Sequence, residues 1–149
     1  EIFQPIIRRS DFSAQITALL DDVEFNAHLQ SLIVGGSKGT ANVDCDEIIS
    51  NSNNNTFCKN WKEMLLLAEL PVPAPIEIDG MPTPSCNRVL IFAGTKIGAQ
   101  VRTTALNVSD PANYLEGTNL TAFNDNTADF SGLSVFDADN SSADIMRCL

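Results

Sequence analysis

Hydrophobic residues near the start of the chain recur with the period of an α-helix. Four of them keep the i, i+4, i+7, i+11 spacing of one helix face: Phe12, Ile16, Leu19 and Val23. Ser10 suits the N-cap of such a helix, and Gly35-Gly36 would end it. The pattern therefore predicts one long N-terminal helix with its apolar face against the core. A strand beginning near Val23 is the alternative interpretation.

The rest of the first half combines a polar segment with a short apolar one. Residues 51–56 read Asn-Ser-Asn-Asn-Asn-Thr. This stretch has no apolar side chain to pack in a core, and it predicts an exposed loop. Asn60 suits the N-cap of a second, short helix, in which Glu63 takes the capping-box position and the apolar residues 64–67 follow. Residues 1–70 are therefore predicted to form a helical half.

A proline-rich segment separates this half from a different pattern. Residues 71–84 hold five of the seven prolines and predict an extended connection. Beyond it, the apolar run 89–92 predicts one strand, and alternation of apolar and polar residues over 97–103 predicts a second. Residues 85–149 are therefore predicted to be β-rich. The whole chain, 1–149, is predicted to be one α+β domain, with a long N-terminal helix packed on an antiparallel sheet.

Four cysteines, Cys45, Cys58, Cys86 and Cys148, are widely and unevenly spaced. They lack the close C-x-x-C pairing of zinc and redox sites, and an even number at wide spacing indicates two disulfides. Three pairings are open. Cys45–Cys58 with Cys86–Cys148 is favoured, because each pair then brackets a compositionally distinct stretch. Structural disulfides form in oxidising compartments, so the protein is predicted to be extracytoplasmic: periplasmic, at the cell surface or secreted.

Net charge restricts the expected partners. The chain has 19 acidic and 9 basic residues, for a formal charge of −10. Nucleic acids and anionic membrane surfaces both attract concentrated Lys and Arg, so neither is an expected partner. No apolar run reaches the roughly 20 residues of a membrane span. Because the chain begins at Glu1 instead of Met, an export signal or membrane helix upstream of it stays open.

Side chains typical of catalytic or metal sites are sparse. His28 is the single histidine, which leaves too few ligands for zinc and no context for a Ser-His-Asp or Cys-His mechanism. The glycine-rich residues 35–39 lack the spacing of a phosphate-binding loop. No catalytic residue, cofactor or metal is predicted, and the protein is expected not to be an enzyme.

Carboxylates are harder to assign, because a hydrolytic pair can come from distant parts of a sequence. Asp21, Asp22 and Glu24 are expected on a solvated helix face, and the sequence does not place Glu116 or Asp129. Two oxygen-rich runs contain ligand types suited to Ca²⁺, but both lack the full EF-hand pattern, and polar turns are the preferred interpretation. The runs are Asp137, Asp139, Asn140 with Asp144, and Asn124, Asp125, Asn126 with Asp129.

Four stretches of the second half read Cys-Asn-Arg-Val-Leu-Ile-Phe-Ala-Gly at 86–94, Gln-Val-Arg at 100–102, Asn-Tyr-Leu-Glu at 113–116 and Ala-Asp-Ile-Met-Arg-Cys-Leu at 143–149. These stretches are similar to the C-terminal portions of minor-pilin-like proteins. Together with the predicted N-terminal helix, antiparallel sheet and C-terminal disulfide, they make the chain resemble the soluble domain of a bacterial type IV pilin or pseudopilin.

This resemblance implies a non-enzymatic structural or assembly subunit of a cell-envelope filament. Its partners would be other pilus or pseudopilus subunits, and it would reach the membrane only through a helix preceding Glu1. A secreted binding or adhesion module is an alternative, which would expose an apolar or aromatic platform on its sheet. A secreted carboxylate-dependent hydrolase is a further alternative, which would show a pocket with two carboxylates.

Overall fold

The structure, a computed structural model, describes residues 9–32, 36–39, 43–70, 75–79, 81–83, 86–95, 98–134 and 143–149. Within these ranges lie six α-helices: α1 (Arg9–Leu20), α2 (Val23–Ser31), α3 (Cys45–Ile48), α4 (Ser52–Trp61), α5 (Ala105–Ser109) and α6 (Gly117–Asp125). The same ranges contain seven strands: β1 (Ser37–Gly39), β2 (Leu65–Glu69), β3 (Glu77–Ile78), β4 (Met81–Pro82), β5 (Arg88–Phe92), β6 (Asp129–Phe130) and β7 (Ile145–Cys148). Single 3-10 turns follow α4 and α5, at Lys62–Met64 and Pro111–Asn113.

The central sheet is four-stranded and antiparallel, in the order β1-β2-β5-β7. In its middle, β2 and β5 pair from Leu65 opposite Phe92 to Glu69 opposite Arg88. β7 lies on the other side of β5, with Ile145 opposite Phe92. A second, small sheet has the order β4-β3-β6. Helices with an antiparallel central sheet confirm the predicted α+β class.

The two middle strands are buried on both faces. Residues 65–68 and 89–92 are all buried, and all are apolar. Successive side chains of a strand point to opposite faces of the sheet, so an unbroken buried run requires cover on both. Helices α1 and α4 lie on one face, where Phe12 and Trp61 contact Phe92. Helix α6 is joined to the start of β7 through Asn119 and Asp144, and the residues after β6 run along the outer edge of β7, where Leu133 pairs with Ile145.

Aromatic contacts mark the helix-covered face. The ring centroid of Phe92 lies 5.9 Å from that of Phe12 in α1 and 6.5 Å from that of Trp61 in α4. Phe57, also in α4, is 5.6 Å from Phe12. Tilted and edge-on rings at these separations add to the energy of apolar burial. Helices α1 to α4 are here called the helical layer. This layer is therefore held to the sheet mainly by apolar contact.

The predicted long N-terminal helix is divided into α1 and α2. Ile16 and Leu19 are completely buried, as predicted. Asp22 then interrupts the helix: its backbone is extended, and its side chain accepts a hydrogen bond from the N–H of Phe25, which caps α2. The interruption rotates the apolar face, so Phe25 is buried and Val23 is 81% exposed. The prediction that Val23 continues the buried stripe is therefore wrong.

Two further predictions for the first half are wrong. Residues 51–56 are not a loop: Asn51 caps α4 by accepting hydrogen bonds from two N–H groups of its first turn. Burial of Phe57 and Cys58 supplies the apolar contact that the polar residues lack. The predicted second helix is also wrong: Asn60 lies inside α4, Met64 ends the 3-10 turn, and residues 65–67 belong to β2. An unbroken apolar run suits a helix or a strand, and pairing with β1 and β5 on its two sides selects the strand.

The second half is less β-rich than predicted. Strand β5 confirms the strand predicted over 89–92. The alternating run 97–103 is not a strand in its described part, where the N–H of Val101 donates to the side chain of Asn113 over 2.9 Å. Residues 71–84 include the short strands β3 and β4. Both halves supply helices and strands, so the predicted division into a helical and a β-rich half does not hold. That the chain is one domain stays a prediction.

Candidate functional site

The four cysteines form the favoured pairs, Cys45–Cys58 and Cys86–Cys148. The first disulfide joins α3 to α4 within the helical layer, over a sequence separation of 13. The second joins the residue two before β5 to the last residue of β7, over a separation of 62. No cysteine in the described part of the chain is free. Two structural disulfides are typical of an extracytoplasmic protein.

A buried hydrogen-bonded cluster, here called the polar node, lies between the central sheet and α6. It consists of Asp144, Asn119, Gly94 and Ser131. Asp144 is 4% exposed; its Oδ1 accepts from the N–H of Gly94 over 3.0 Å, and its Oδ2 accepts from Nδ2 of Asn119 over 2.7 Å. Asn119 also donates to the carbonyl of Ser131 over 2.7 Å and accepts from its N–H over 2.8 Å. The polar node therefore connects β5, α6, the residues after β6 and the start of β7.

The electrostatics of the polar node are set by burial. Burial raises the pKa of Asp144 to about 6, and the negative charge of Glu116 acts in the same direction. The two hydrogen bonds and the positive charge of Arg102 oppose this rise, because they favour the carboxylate. The two bonds to Ser131 fix the amide of Asn119, so that its Nδ2 faces Asp144. Both carboxylate oxygens of Asp144 are thus engaged in holding chain segments together.

Arg102 lies next to the polar node. Its guanidinium carbon is 4.5 Å from the ring centroid of Tyr114, a cation–π contact. Its Nε donates to the carbonyl of Asn113 over 2.6 Å, and its Nη1 donates to the carbonyl of Gly94 over 3.3 Å. Burial lowers the pKa of Arg102, and the neighbouring Tyr114, Asp144 and Glu116 oppose that change. These contacts fasten the segment before α5 to the end of β5.

Tyr114 and Trp61, the one Tyr and the one Trp of the chain, are packed against other side chains. Tyr114 is 3% exposed, and its hydroxyl has no hydrogen-bond partner among the residues that the structure describes. Burial raises the pKa of Tyr114, Glu63 adds to the rise, and Arg102 opposes it. Trp61 is half-buried among the rings of the helical layer. Neither side chain provides the exposed platform expected of a binding module.

An open groove of about 350 Å³ lies at the other end of β5 from the polar node. Its lining comprises Gln30, Glu69, Asn87, Arg88 and Leu149. Arg88 donates through Nη1 to the carbonyls of Leu29 and Gln30, over 2.8 Å each, and through Nη2 to Glu69 over 2.9 Å. The groove therefore offers one side-chain carboxylate, already paired with Arg88, and not the two that a glycosidase needs.

The acidic residues near α2 have structural contacts. Asp21 forms an ion pair with Arg147 of β7 over 2.8 Å. Asp22 caps α2, as described above. Glu24 accepts hydrogen bonds from the N–H and the hydroxyl of Ser50. Asp21 and Glu24 are exposed, as expected of a solvated face, and Asp22 is half-buried. These side chains also join the helical layer to the sheet and to the residues after α3.

The other candidates from the sequence are dispersed. His28 is half-buried in α2, Glu116 accepts from the side chain of Gln100 over 3.1 Å, and Asp129 is an exposed residue of β6. Among the described ranges no group of three or more His, Cys, Asp or Glu is arranged to hold a metal ion. In the first oxygen-rich run, Asp137, Asp139 and Asn140 lie outside the described residues, and Asp144 belongs to the polar node. In the second, Asn124 and Asp125 end α6, and Asn126 follows with a left-handed φ of 54°.

Sequence reasoning missed Asn119 and identified Arg102 only within a similar stretch. Asn119 lies three residues before Ala122 and four before Phe123, on the buried face of α6. A lone amide among apolar residues at helical spacing is the signal that points to a buried hydrogen-bonding role. Arg102 lies within an alternating run in which every second residue is polar. Nothing in the neighbouring sequence therefore distinguishes it as partly buried.

Among the residues that the structure describes, no helix has the length and apolarity needed to cross a bilayer. The chain matches no protein-family model, no curated protein and no solved structure. The polar node, the groove and the two disulfides are therefore the features from which a function is inferred.

Proposed function

We propose that this protein is a non-enzymatic structural or assembly subunit of a cell-envelope filament, of the minor pilin or pseudopilin kind. One observation carries the proposal. The four stretches that resemble minor-pilin-like proteins, at 86–94, 100–102, 113–116 and 143–149, are separate in sequence but meet around the polar node. Because the four stretches contact one another there, they form one packed unit. The similarity therefore covers a connected part of the fold.

Specific contacts join the four stretches. Gly94, which ends the first, donates its N–H to Asp144 of the last. Arg102 of the second donates to the carbonyls of Gly94 and Asn113, and it lies over the ring of Tyr114 in the third. Asp144 and Arg102 make these hydrogen bonds to other residues of the same chain. A scaffold that positions a surface for assembly is consistent with this arrangement.

Part of the architecture supports the proposal, although the N-terminal helix is divided into α1 and α2. Helix α1 packs its apolar face on an antiparallel sheet, and β7, from the last of the four stretches, is cross-linked to the region of β5 by Cys86–Cys148. In the proposal, the partners are other pilus or pseudopilus subunits, and contact with the membrane is made by a helix preceding Glu1. The disulfides fit folding outside the cytosol.

Cell fractionation with cross-linking tests the proposal. The full-length gene product should be found in the envelope or filament fraction, and a chemical cross-linker applied to intact cells should join it to other filament or pseudopilus subunits. Deleting the gene should reduce filament assembly or pseudopilus-dependent secretion. Recovery of the protein only as a free, uncross-linked product, with normal assembly in the deletion strain, would reject the proposal.

A secreted binding module is the second candidate, and the groove beside Arg88 is the observation that favours it. Against it, β2 and β5 are buried on both faces, so these strands present no exposed platform. Screening the purified domain against immobilised glycans and peptides separates the two candidates. Saturable binding that Arg88→Ala abolishes, without loss of the folded state, would favour the binding module.

A further inference from the structure

The two disulfides differ in how far a thiol can reach them. Cys45 and Cys58 are 2% and 0% exposed. Cys86 is equally buried, at 1%, but Cys148 is an exposed residue. Exchange requires a thiolate to approach one sulfur directly, so access decides which disulfide reacts. Only the second disulfide offers an accessible half-cystine.

The surroundings of the two disulfides differ in the same sense. Cys148 is the last residue of β7, and three of the five residues that line the groove of about 350 Å³ lie within two positions of Cys86 or Cys148: Asn87, Arg88 and Leu149. An open groove gives room to a chain that carries an attacking thiol. Cys45, by contrast, belongs to the buried core, and its carbonyl accepts a hydrogen bond from the side chain of Asn55 over 2.9 Å.

We propose that Cys86–Cys148 is a site of thiol–disulfide exchange with a dithiol reductant, whereas Cys45–Cys58 is a permanent cross-link. A thiolate of the reductant attacks Sγ of Cys148, the bond between the two sulfurs breaks, and Cys86 leaves as a thiolate that takes a proton from water. The second thiol of the reductant loses its proton to water and, as a thiolate, displaces Cys148 from the mixed disulfide; Cys148 leaves as a thiolate and takes a proton from water. The protein gains two electrons and two protons, and the dithiol becomes a disulfide.

Opening this bond leaves most contacts of β7 intact. The strand stays paired with β5 from Ile145 opposite Phe92 to Cys148 opposite Val89, and the N–H of Leu149 donates to the carbonyl of Arg88 over 2.9 Å. Exchange would therefore loosen the C-terminal strand without requiring global unfolding. This inference depends on the two disulfides alone, and it stands or fails independently of the proposed filament role.

Timed reduction of the native, oxidised protein tests the inference. Samples treated with dithiothreitol are alkylated at intervals, and modified cysteines are identified by peptide mass mapping. Cys86 and Cys148 should become alkylated at least tenfold faster than Cys45 and Cys58. Equal rates, or faster opening of Cys45–Cys58, would overturn the proposal. In guanidinium, where burial is lost, the difference should disappear.

Paired variants and mild urea distinguish direct attack from unfolding. In C45A/C58A the remaining bond should open at the native rate, and in C86A/C148A the remaining bond should stay resistant. Should either variant fail to fold, the wild-type protein still gives the answer. Below its unfolding transition, the opening rate of Cys86–Cys148 should stay constant as urea rises. A rate that increases in parallel with the unfolded population would contradict direct attack.

Discussion

Two sides of the central sheet are held by different kinds of contact. On the helical face apolar rings pack on Phe92, and polar contacts lie at the rim, as in the Asp21–Arg147 pair, whose side chains are 57% and 28% exposed. On the side of α6, where β5 ends and β7 begins, the polar contacts are buried: Asp144 and Asn119 are 4% and 8% exposed. Water replaces a lost partner at a rim, but not in a core. The side of α6 should therefore be the more sensitive to polar substitutions.

The largest expected effect is the loss of stability when a disulfide is removed, and its size should differ between the two disulfides. Replacing Cys86 and Cys148 together by Ala should lower the free energy of unfolding by about 4 kcal/mol, because the bond closes a long loop in the unfolded chain. Replacing Cys45 and Cys58 should cost about 3 kcal/mol, because its loop is shorter. Urea unfolding of the two double variants measures both values. A clearly larger loss for the short loop would contradict the loop-closure explanation.

The next effect concerns pH and Asp144. Its pKa of about 6 in the folded state exceeds the ordinary 3.8, so between these values the folded protein binds more protons than the unfolded chain. The free energy of unfolding should therefore fall as pH rises through this window. The total fall in the free energy of unfolding approaches about 3 kcal/mol, because each pKa unit of difference corresponds to about 1.36 kcal/mol.

A matched variant isolates this contribution from the other carboxylates. Asp144→Asn cannot titrate, so the difference in unfolding free energy between wild type and variant should change with pH between about 4 and 7. Chemical denaturation at several pH values gives the difference directly. A difference that stays constant over that range would show that Asp144 titrates near its ordinary pKa.

Removal of Asn119 tests the polar node itself. Asn119→Ala should cost about 2–3 kcal/mol, because it leaves a buried oxygen of Asp144 without its partner and removes both hydrogen bonds to the backbone of Ser131. Asn54→Ala is the control on the helical side, where the half-buried Asn54 donates to Asp22 over 2.8 Å; it should cost under about 1 kcal/mol. Thermal or urea unfolding compares the variants. Equal costs would remove the distinction between the two sides.

Gly132→Ala should lower the free energy of unfolding by about 1–3 kcal/mol, because the residue is closely packed. A Cβ at this position would lie 2.6 Å from the carbonyl oxygen of Asp144 and 2.7 Å from Cγ of Met146, so Gly132→Ala should force the residues after β6 away from β7. Gly117→Ala is the control: its Cβ meets open space, and only its φ of +52° adds strain, about 1 kcal/mol. A smaller loss for Gly132→Ala than for Gly117→Ala would contradict the close approach.

The smallest effect belongs to the rim. Asp21→Asn removes the exposed ion pair with Arg147 and should change the free energy of unfolding by less than about 1 kcal/mol. Raising the salt concentration should reduce even this difference. Unfolding curves at low and high salt provide the measurement. A loss comparable to that of Asn119→Ala would show that the helical face also depends on polar contacts.

Some of this organisation could be predicted from the sequence. Ile16 and Leu19 follow helical spacing, and both are buried. The apolar run 89–92 lies between Arg88 and the turn residues Gly94-Thr95, and it forms most of β5. The cysteine pairing also followed, from the compositional difference between the stretches enclosed. For the helix and the strand the signal lies within a short window, where period and composition are sufficient. The pairing of Cys86 with Cys148 spans 62 positions and was predicted from composition alone.

Other features depend on residues distant in sequence. The run 64–67 has no period, so only its pairing partners decide that it leads into a strand. One exception is local: Asp22 caps α2 through the N–H of Phe25, three residues later, in a stretch whose apolar spacing also suits a continuous helix. Asp144 and Gly94 are 50 positions apart, so no local pattern could connect them. The polar node therefore became visible only in the folded chain.

The central claim is that the folded protein carries both disulfides where it works, outside the cytosol. Protein recovered from its own cells, acid-quenched, alkylated and then mapped by mass spectrometry without reduction, tests this most directly. The expected result is two linked peptide pairs, Cys45 with Cys58 and Cys86 with Cys148. Four alkylated cysteines in the native material would contradict the compartment and, with it, the proposed role.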